Sequence, residues 1–144
     1  MSFVYLAAPY SSPDPAIREA RVTKISKIAA ILMEQGAVVY SPISHGHNIA
    51  PMLHPTTAHS HSFWMKQDLP LLALASRMFV YCEDGWSVSK GLQEEIGYAS
   101  ALGIPITYIP TGGESIRKIV EAAWAISTGM SISIKKLDSG VKEK

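Results

Sequence analysis

A hydroxyl, a glycine and a carboxylate lie close together in residues 89–99, which read SKGLQEEIGYA. This run follows a short apolar segment, residues 78–82, and a polar turn, residues 83–86, so it lies where a buried strand gives way to a helix. Ser89 is the expected N-cap of that helix. Backbone N–H groups at a helix N-terminus can bind an anion, and a carboxylate can act as an acid, a base or a nucleophile. The run therefore indicates an active site.

Glu95 is the residue of this run best suited to catalysis. A helix that begins at Ser89 places several side chains near one face by helical spacing, namely Leu92, Glu95, Ile96, Ala99 and Leu102. Glu94 then points outward with Lys90. An unpaired charged carboxylate among apolar side chains is costly, so its presence indicates a function. The alternative is a glutamate at the rim of the apolar face.

Local signals along the chain predict the elements that position this run. Short apolar segments predict the strands, which are residues 3–7, 37–40, 78–82, 104–109 and, as a possible short last strand, 131–134. Asp14 as N-cap and Pro15 at the first helical position begin a helix that Gly36 ends. Further helices are predicted over residues 63–75 and 89–102 and after residues 111–114.

Strands that alternate with helices predict a parallel sheet covered on both faces. We expect an α/β fold, a three-layer sandwich with a flavodoxin-like or Rossmann-like parallel sheet of about five strands. Ligands of such sheets bind beyond the carboxyl ends of the strands. In this chain that edge gathers residues 8–11, residues 41–62 and residues 84–91.

All five histidines lie in residues 41–62, a segment with three prolines and no sustained periodicity. We expect a long loop there that acts as a lid or a pocket wall. Five histidines so close together in the sequence also suggest a metal site, for which Asp68 is a candidate further ligand. No His-Glu-X-X-His helix is present, which favours substrate contacts from His45 and His47 over a metal site.

Composition narrows the classes of partner. With 144 residues, of which 47% are hydrophobic, the chain is long enough for one domain with a substantial core. A net charge of +1 gives no electrostatic footprint for polymeric nucleic acid or an anionic membrane. Cys82 is the only cysteine, which excludes an internal disulfide and a Cys-based zinc site. Without a basic leader or a membrane-length apolar stretch, a soluble cytoplasmic protein is expected.

Four segments of the chain carry a family resemblance through their order and spacing. They are residues 4–11 (VYLAAPYS), 67–69 (QDL), 85–91 (GWSVSKG) and 95–99 (EIGYA). Together they resemble the nucleoside 2-deoxyribosyltransferase-like superfamily, which includes the deoxynucleoside 5′-monophosphate N-glycosidases. The resemblance implies one domain of this kind over residues 1–137, with residues 138–144 as a frayed tail. It also implies cleavage of the N-glycosidic bond of a (deoxy)nucleoside or nucleoside 5′-monophosphate, by hydrolysis or by transfer to another base. No cofactor and no metal are implied.

The resemblance implies catalytic roles for three residues. It makes Glu95 the nucleophile that attacks C1′ of the sugar, with the Tyr5 phenol holding the Glu95 carboxyl. Asp68 would handle the leaving base or its proton. A carboxylate suits this chemistry because it stabilises the positive charge that develops at C1′. From the pattern alone, however, a tyrosine in a first strand is more often an ordinary core residue.

The same resemblance implies a set of substrate-binding residues. Ser89 would contact a 5′-phosphate, and Gly91 would allow its close approach; the alternative is that Ser89 is a simple N-cap. The first turn lacks the glycine, serine and arginine pattern of the monophosphate glycosidases, so a key phosphate contact is either missing or comes from elsewhere, with Arg18 and Arg21 as candidates. The other candidate substrate-binding residues are Ala8, Tyr10, Ser11, His45, His47 and Trp86.

Two other classes of function stay open. One is a non-catalytic nucleotide sensor on the same fold, since a fold does not fix the chemistry. The other is a metal-dependent hydrolase built on the histidine segment. The presence of both Glu95 and Asp68 argues against the sensor. The resemblance also implies a homo-oligomer, a dimer or larger, for which the last helix with Trp124 is a candidate contact unless that helix belongs to the core.

Overall fold

A computed structural model of the protein describes residues 2–129. The strands form a parallel sheet in the order β2-β1-β3-β4, with β1 (Val4–Ala7), β2 (Val39–Tyr40), β3 (Arg77–Cys82) and β4 (Ile106–Pro110). The prediction of an α/β fold with a parallel sheet is therefore confirmed. The sheet has four strands within residues 2–129 rather than about five, and the candidate strand at residues 131–134 lies outside the described residues.

Helices connect and cover the strands, namely α1 (Pro15–Glu34), α2 (Pro42–Ile49), α3 (Pro55–Ala58), α4 (His61–Leu72), α5 (Lys90–Ala101) and α6 (Ile116–Ser127). The predicted start of α1 is confirmed, because the Asp14 carboxylate accepts a hydrogen bond from the Ala16 N–H and Pro15 begins the helix. Gly36, with a φ of 98°, follows the end of α1 as expected. Within residues 2–129, none of the helices has the length and apolar character needed to cross a membrane.

The prediction of a long loop over residues 41–62 was wrong. The segment folds into α2, a 3-10 turn (Ala50–Met52) and α3, and it runs into α4. Pro42 and Pro55 begin helices, where a missing N–H costs nothing, because the first N–H groups of a helix have no internal partner. Ser41 and Ser60 provide N-caps for α2 and α4. The prolines and serines of this segment therefore mark the starts of helices. The helices that follow them lack a long apolar stripe.

Two apolar cores lie on opposite faces of the sheet, so the sheet is the middle of three layers. One core joins the sheet to α1 and α6, and its largest buried members include Leu6, Ile28, Leu32, Phe79 and Ile109. The other joins the sheet to α4 and α5, and its members include Tyr5, Leu72, Met78, Val80 and Leu92. Trp124 of α6 packs against the first core, whereas Ile126 is 59% exposed.

Helix α5 presents its predicted inner face to the second core, with one exception. Leu92, Glu95 and Ala99 are buried, and Glu94 and Lys90 point outward as expected. Leu102, predicted on the same face, is 51% exposed because the helix ends at Ala101 and the chain turns away at Gly103. The phase of the helix was thus read correctly up to its last turn.

Candidate active site

The centre of the candidate site is a hydrogen bond between two buried side chains. Tyr5 lies on β1, whose alternation directs its ring to the face covered by α5. Glu95 lies on the inner face of α5 and is only 6% exposed. The Tyr5 phenol donates a hydrogen bond to Oε2 of Glu95. The carboxyl that the helix pattern directs inward therefore has a specific partner.

Burial controls the protonation of this pair. Removal from water raises the pKa of Glu95 to about 8, and nearby negative charge on Asp68 and Glu94 acts in the same direction. The hydrogen bond from Tyr5 opposes that rise, because it stabilises the carboxylate form. Burial and the negative charge of Glu95 hold the pKa of Tyr5 far above its usual range, so Tyr5 remains a phenol and a hydrogen-bond donor.

Asp68, on α4, belongs to the same site. Burial raises the pKa of its carboxyl to about 6. A negative charge on Asp68 also raises the pKa of Glu95 and of Tyr5, so the three groups interact electrostatically. Helices α4 and α5 pack against the same face of the sheet, which explains why residues distant in sequence meet here. The structure therefore places on one face of the sheet the three residues to which the resemblance assigns catalytic roles.

Sequence reasoning missed Tyr40, which borders the same space. Its ring centroid lies 5.9 Å from that of Tyr5 and 5.6 Å from that of His45. Burial raises the pKa of Tyr40 to about 12, with added contributions from the charges of Asp68 and Glu95. Tyr40 is the last residue of β2, the strand next to β1. Its position at the carboxyl edge of the sheet was the available signal, because ligands of parallel sheets bind at that edge.

The five histidines contact different partners. Besides His45 near Tyr40, the ring nitrogens bond within 3 Å to Tyr10 and Glu19 (His47), Thr56 (His54), the Pro55 carbonyl (His59) and Glu94 (His61). Within the part of the chain that the structure describes, no three side chains of His, Cys, Asp or Glu lie close enough together to hold a metal ion. His47 and His61 thus form hydrogen bonds between helices, whereas His54 and His59 bond within their own segment.

The turn after β1 is built around Tyr10. The Tyr10 phenol lies 2.8 Å from Nδ1 of His47, and Nε2 of His47 lies 2.8 Å from a carboxylate oxygen of Glu19. His47 therefore faces α1, whereas His45 faces Tyr40. The side chain of Ala8 is buried in the core against α1, so only its backbone is available to a substrate. Of the predicted binding residues on α2, His45 is the one whose ring packs beside Tyr40, 5.6 Å between centroids.

Residues 86–91 carry the remaining predicted contacts. Ser89 is the N-cap of α5, with its hydroxyl oxygen 3.4 Å from the Leu92 nitrogen. A Cβ at Gly91 would lie 3.9 Å from Cε of Met65, an ordinary contact, so space alone does not require glycine there. The Trp86 ring packs against Tyr108 with centroids 5.7 Å apart. Trp86 thus presents an aromatic surface next to the helix N-terminus.

The two arginines suggested for phosphate binding are both engaged with loop carbonyls. Arg18 donates to the Ser12 carbonyl. Arg21 donates from Nη1 to the Ser11 carbonyl at 2.8 Å and from Nη2 to the Asp84 carbonyl at 3.0 Å. Their guanidinium groups therefore hold backbone in place, a role that the sequence pattern did not indicate.

A comparison with protein-family models identifies a match over most of this chain. The family model described as a domain of unknown function (DUF1937) matches residues 2–110. The matched segment runs from β1 to the end of β4 and includes Tyr5, Asp68 and Glu95. No curated protein matches the chain.

Proposed function

This chain belongs to the family described as a domain of unknown function (DUF1937), and from its site we propose that it cleaves the N-glycosidic bond of a nucleoside or nucleoside 5′-monophosphate. The observation that carries the proposal is the buried Glu95 carboxyl, held by the Tyr5 phenol, with the Asp68 carboxyl near enough to raise its pKa. Two carboxyl groups in distinct environments are the equipment that glycosidic bond cleavage needs. The resemblance of residues 95–99 and of the three other segments to deoxyribosyltransferase-like proteins supports the substrate class.

The first step uses Glu95 as the nucleophile. Its carboxylate attacks C1′ and forms an ester bond to the sugar while the bond between C1′ and the base nitrogen breaks. The electron pair of that bond leaves with the base, and Asp68 donates the proton that the base takes up. The reacting form therefore has its proton on Asp68 and Glu95 as the carboxylate, although the pKa values of about 6 and about 8 place the proton on Glu95 in most molecules at pH 7. The hydrogen bond from Tyr5 favours the reacting form. The Tyr5 phenol stabilises the carboxylate form of Glu95 before the attack, which offsets part of the cost of its burial.

The second step restores both carboxyl groups. Water attacks C1′, the ester bond to Glu95 breaks, and the Asp68 carboxylate accepts the proton that the water loses. A second nucleobase attacking C1′ in place of water would complete a transfer reaction. The pKa of about 6 that burial gives Asp68 suits a group that donates and accepts a proton near neutral pH.

Release of free base tests the proposal. Purified protein is incubated with ribo- and deoxyribonucleosides and their 5′-monophosphates, and the products are separated by chromatography. We expect free base and free sugar or sugar phosphate from at least one substrate, and base exchange when a second base is added if transfer operates. Absence of base release from every substrate, with retained binding of one of them, would instead favour a nucleotide sensor.

Tyr5→Phe is expected to move the acidic limb of the pH profile of kcat/KM to higher pH. The phenol lowers the pKa of Glu95, so its removal leaves less carboxylate at neutral pH. A shift of the limb by about one pH unit lowers kcat/KM at pH 6 by about tenfold and leaves the alkaline rate nearly unchanged.

The matched control for this profile is Tyr81→Phe, a buried tyrosine whose side chain lies in the core on the opposite face of the sheet. The acidic limb of the Tyr81→Phe pH profile should coincide with that of the unmodified protein. An equal loss of activity at all pH values in Tyr5→Phe would mean that Tyr5 only supports packing. A fall in rate at alkaline pH is expected of the unmodified protein and of both variants, because Asp68 must hold the proton that it donates.

A further inference from the structure

Arg21 connects two loops that come from different strands. Its guanidinium donates one hydrogen bond to the Ser11 carbonyl, in the loop after β1, and another to the Asp84 carbonyl, in the loop after β3. The two acceptors are distant in sequence, but both loops lie at the carboxyl edge of the parallel sheet. Because α1 is anchored in the core through Ile25 and Ile28, Arg21 projects from a fixed support.

Gly85 is shaped to receive this guanidinium. Its φ of 91° lies in the left-handed region, which favours glycine. A Cβ at this position would lie 3.1 Å from Nη2 of Arg21, closer than an ordinary contact. The turn therefore combines a backbone conformation and a close approach that both suit glycine, and the approach is made by the arginine that bonds the preceding carbonyl.

A buried carboxyl group interacts electrostatically with the same guanidinium. Glu83, at the end of β3, is 8% exposed, and one carboxylate oxygen lies 3.9 Å from Nζ of Lys24. Its other oxygen is buried and has no hydrogen-bond partner among the residues that the structure describes. Burial raises the pKa of Glu83, whereas Lys24 and Arg21 lower it, so the cations of α1 compensate this carboxylate. The Glu83 carboxylate in turn attracts the positive charges of Lys24 and Arg21 on this face of α1.

We propose that Arg21 is a positioning residue that clamps the loop at residues 8–14 to the loop at residues 83–89 and so sets the width of the substrate-binding mouth. The first loop carries Tyr10 and the second carries Trp86, and both loops lie at the carboxyl edge of the sheet. This inference rests on the proposed function for its kinetic consequence. Since Tyr5 and Glu95 lie on β1 and α5 and do not contact Arg21, loss of the clamp affects substrate affinity before it affects bond cleavage.

The geometry requires arginine in particular. The planar guanidinium directs two N–H groups to two acceptors at once, whereas a lysine ammonium is a single point donor on a flexible stem. Lysine at position 21 keeps the charge beside Glu83 but can tie down only one loop at a time. Arg21→Lys should therefore retain part of the substrate affinity that Arg21→Met loses.

Kinetics provide the first test, with Arg21→Met, Arg21→Lys and Arg117→Met. Arg117 is the matched control, because it is half-exposed and pairs with Glu34 and Glu121 on the surface. We expect Arg21→Met to raise KM by about tenfold with kcat within about threefold of the unmodified protein, and Arg21→Lys to lie in between. A loss confined to kcat, or equal effects of Arg21→Met and Arg117→Met, would overturn the proposal.

Hydrogen exchange provides a second test that needs no turnover, so a failure of the proposed function and a failure of the clamp can be told apart. Amide exchange is followed by mass spectrometry in peptides that cover residues 8–14 and 83–89. We expect Arg21→Met to accelerate exchange in both loops together, with little change in the core strand β3. Unchanged exchange in either loop would contradict the clamp even if every kinetic assay were silent. Arg21→Lys, which keeps the charge, decides the matter if Arg21→Met fails to fold.

Discussion

Glu95→Gln is expected to lower the rate of base release by at least about a thousandfold. Glutamine keeps the volume of the side chain and can still accept the hydrogen bond from Tyr5, so the local structure is retained. Its amide cannot supply the negative charge that stabilises C1′, nor form the sugar ester that glutamate forms. The measurement is initial-rate base release on the substrate that the unmodified protein turns over fastest.

Binding separates a chemical defect from a structural one. Because Glu95→Gln does not consume its substrate, the Kd can be measured directly by calorimetry, and we expect it within about threefold of the KM-derived affinity of the active protein. An adduct of sugar or sugar phosphate on the peptide that contains Glu95, trapped by acid quenching and detected by mass spectrometry, would identify the ester. No such adduct should form in Glu95→Gln.

Glu94→Gln is the matched control for both measurements. Glu94 is the preceding residue of the same helix, but it is exposed and hydrogen-bonds to His61 at 2.8 Å. It should retain the activity of the unmodified protein. Comparable losses in Glu94→Gln and Glu95→Gln, or unimpaired turnover in Glu95→Gln, would remove Glu95 from the chemistry. If the unmodified protein and Glu95→Gln bind a nucleotide equally well and neither cleaves it, the protein is a sensor.

Local signals explain why the position of Glu95 was predictable from the sequence. Ser89 sets the start of α5, and the helical repeat from Leu92 then fixes which side of the helix faces the sheet. The same reasoning fails at Leu102, because the repeat does not say where the helix ends. It also fails over residues 41–62, where prolines mark helix starts rather than a loop. Propensity is ambiguous at such positions, and tertiary packing decides.

Contacts between distant segments were out of reach of pattern reasoning. The pairing of Tyr5 with Glu95 spans 90 positions and was implied only by resemblance. Arg21 and Asp84 lie 63 positions apart, and nothing in the spacing of charges along α1 indicates that this arginine, unlike Lys27, turns toward a loop. Tyr40 enters the site because β2 pairs with β1, which places it across from Tyr5. Strand order, which a single sequence does not fix, creates all three contacts.

The protein is expected to lose stability as pH rises from about 5 to about 8, and Glu95→Gln is expected to abolish much of that loss. The pKa of Glu95 is raised from an ordinary 4.5 to about 8 by burial, so the folded state binds a proton that the unfolded state has released over this interval. The stabilisation from the protonated form is fully present below pH 4.5 and is lost as pH rises through 8. A shift of this size corresponds to at most about 5 kcal/mol.

Thermal unfolding from pH 5 to pH 9 measures this linkage without any substrate. Near pH 5 the carboxyl is protonated and neutral like the amide, so Glu95→Gln and the unmodified protein should melt together. Above pH 8 the variant should melt about 10 °C higher, because only the unmodified protein then carries a buried charge. Glu94→Gln, whose side chain is exposed, should follow the unmodified protein throughout. A constant difference across the range, or one that shrinks as pH rises, would mean that the fold stabilises the Glu95 carboxylate. In that case the pH limb expected for catalysis would lie near that of an ordinary glutamate.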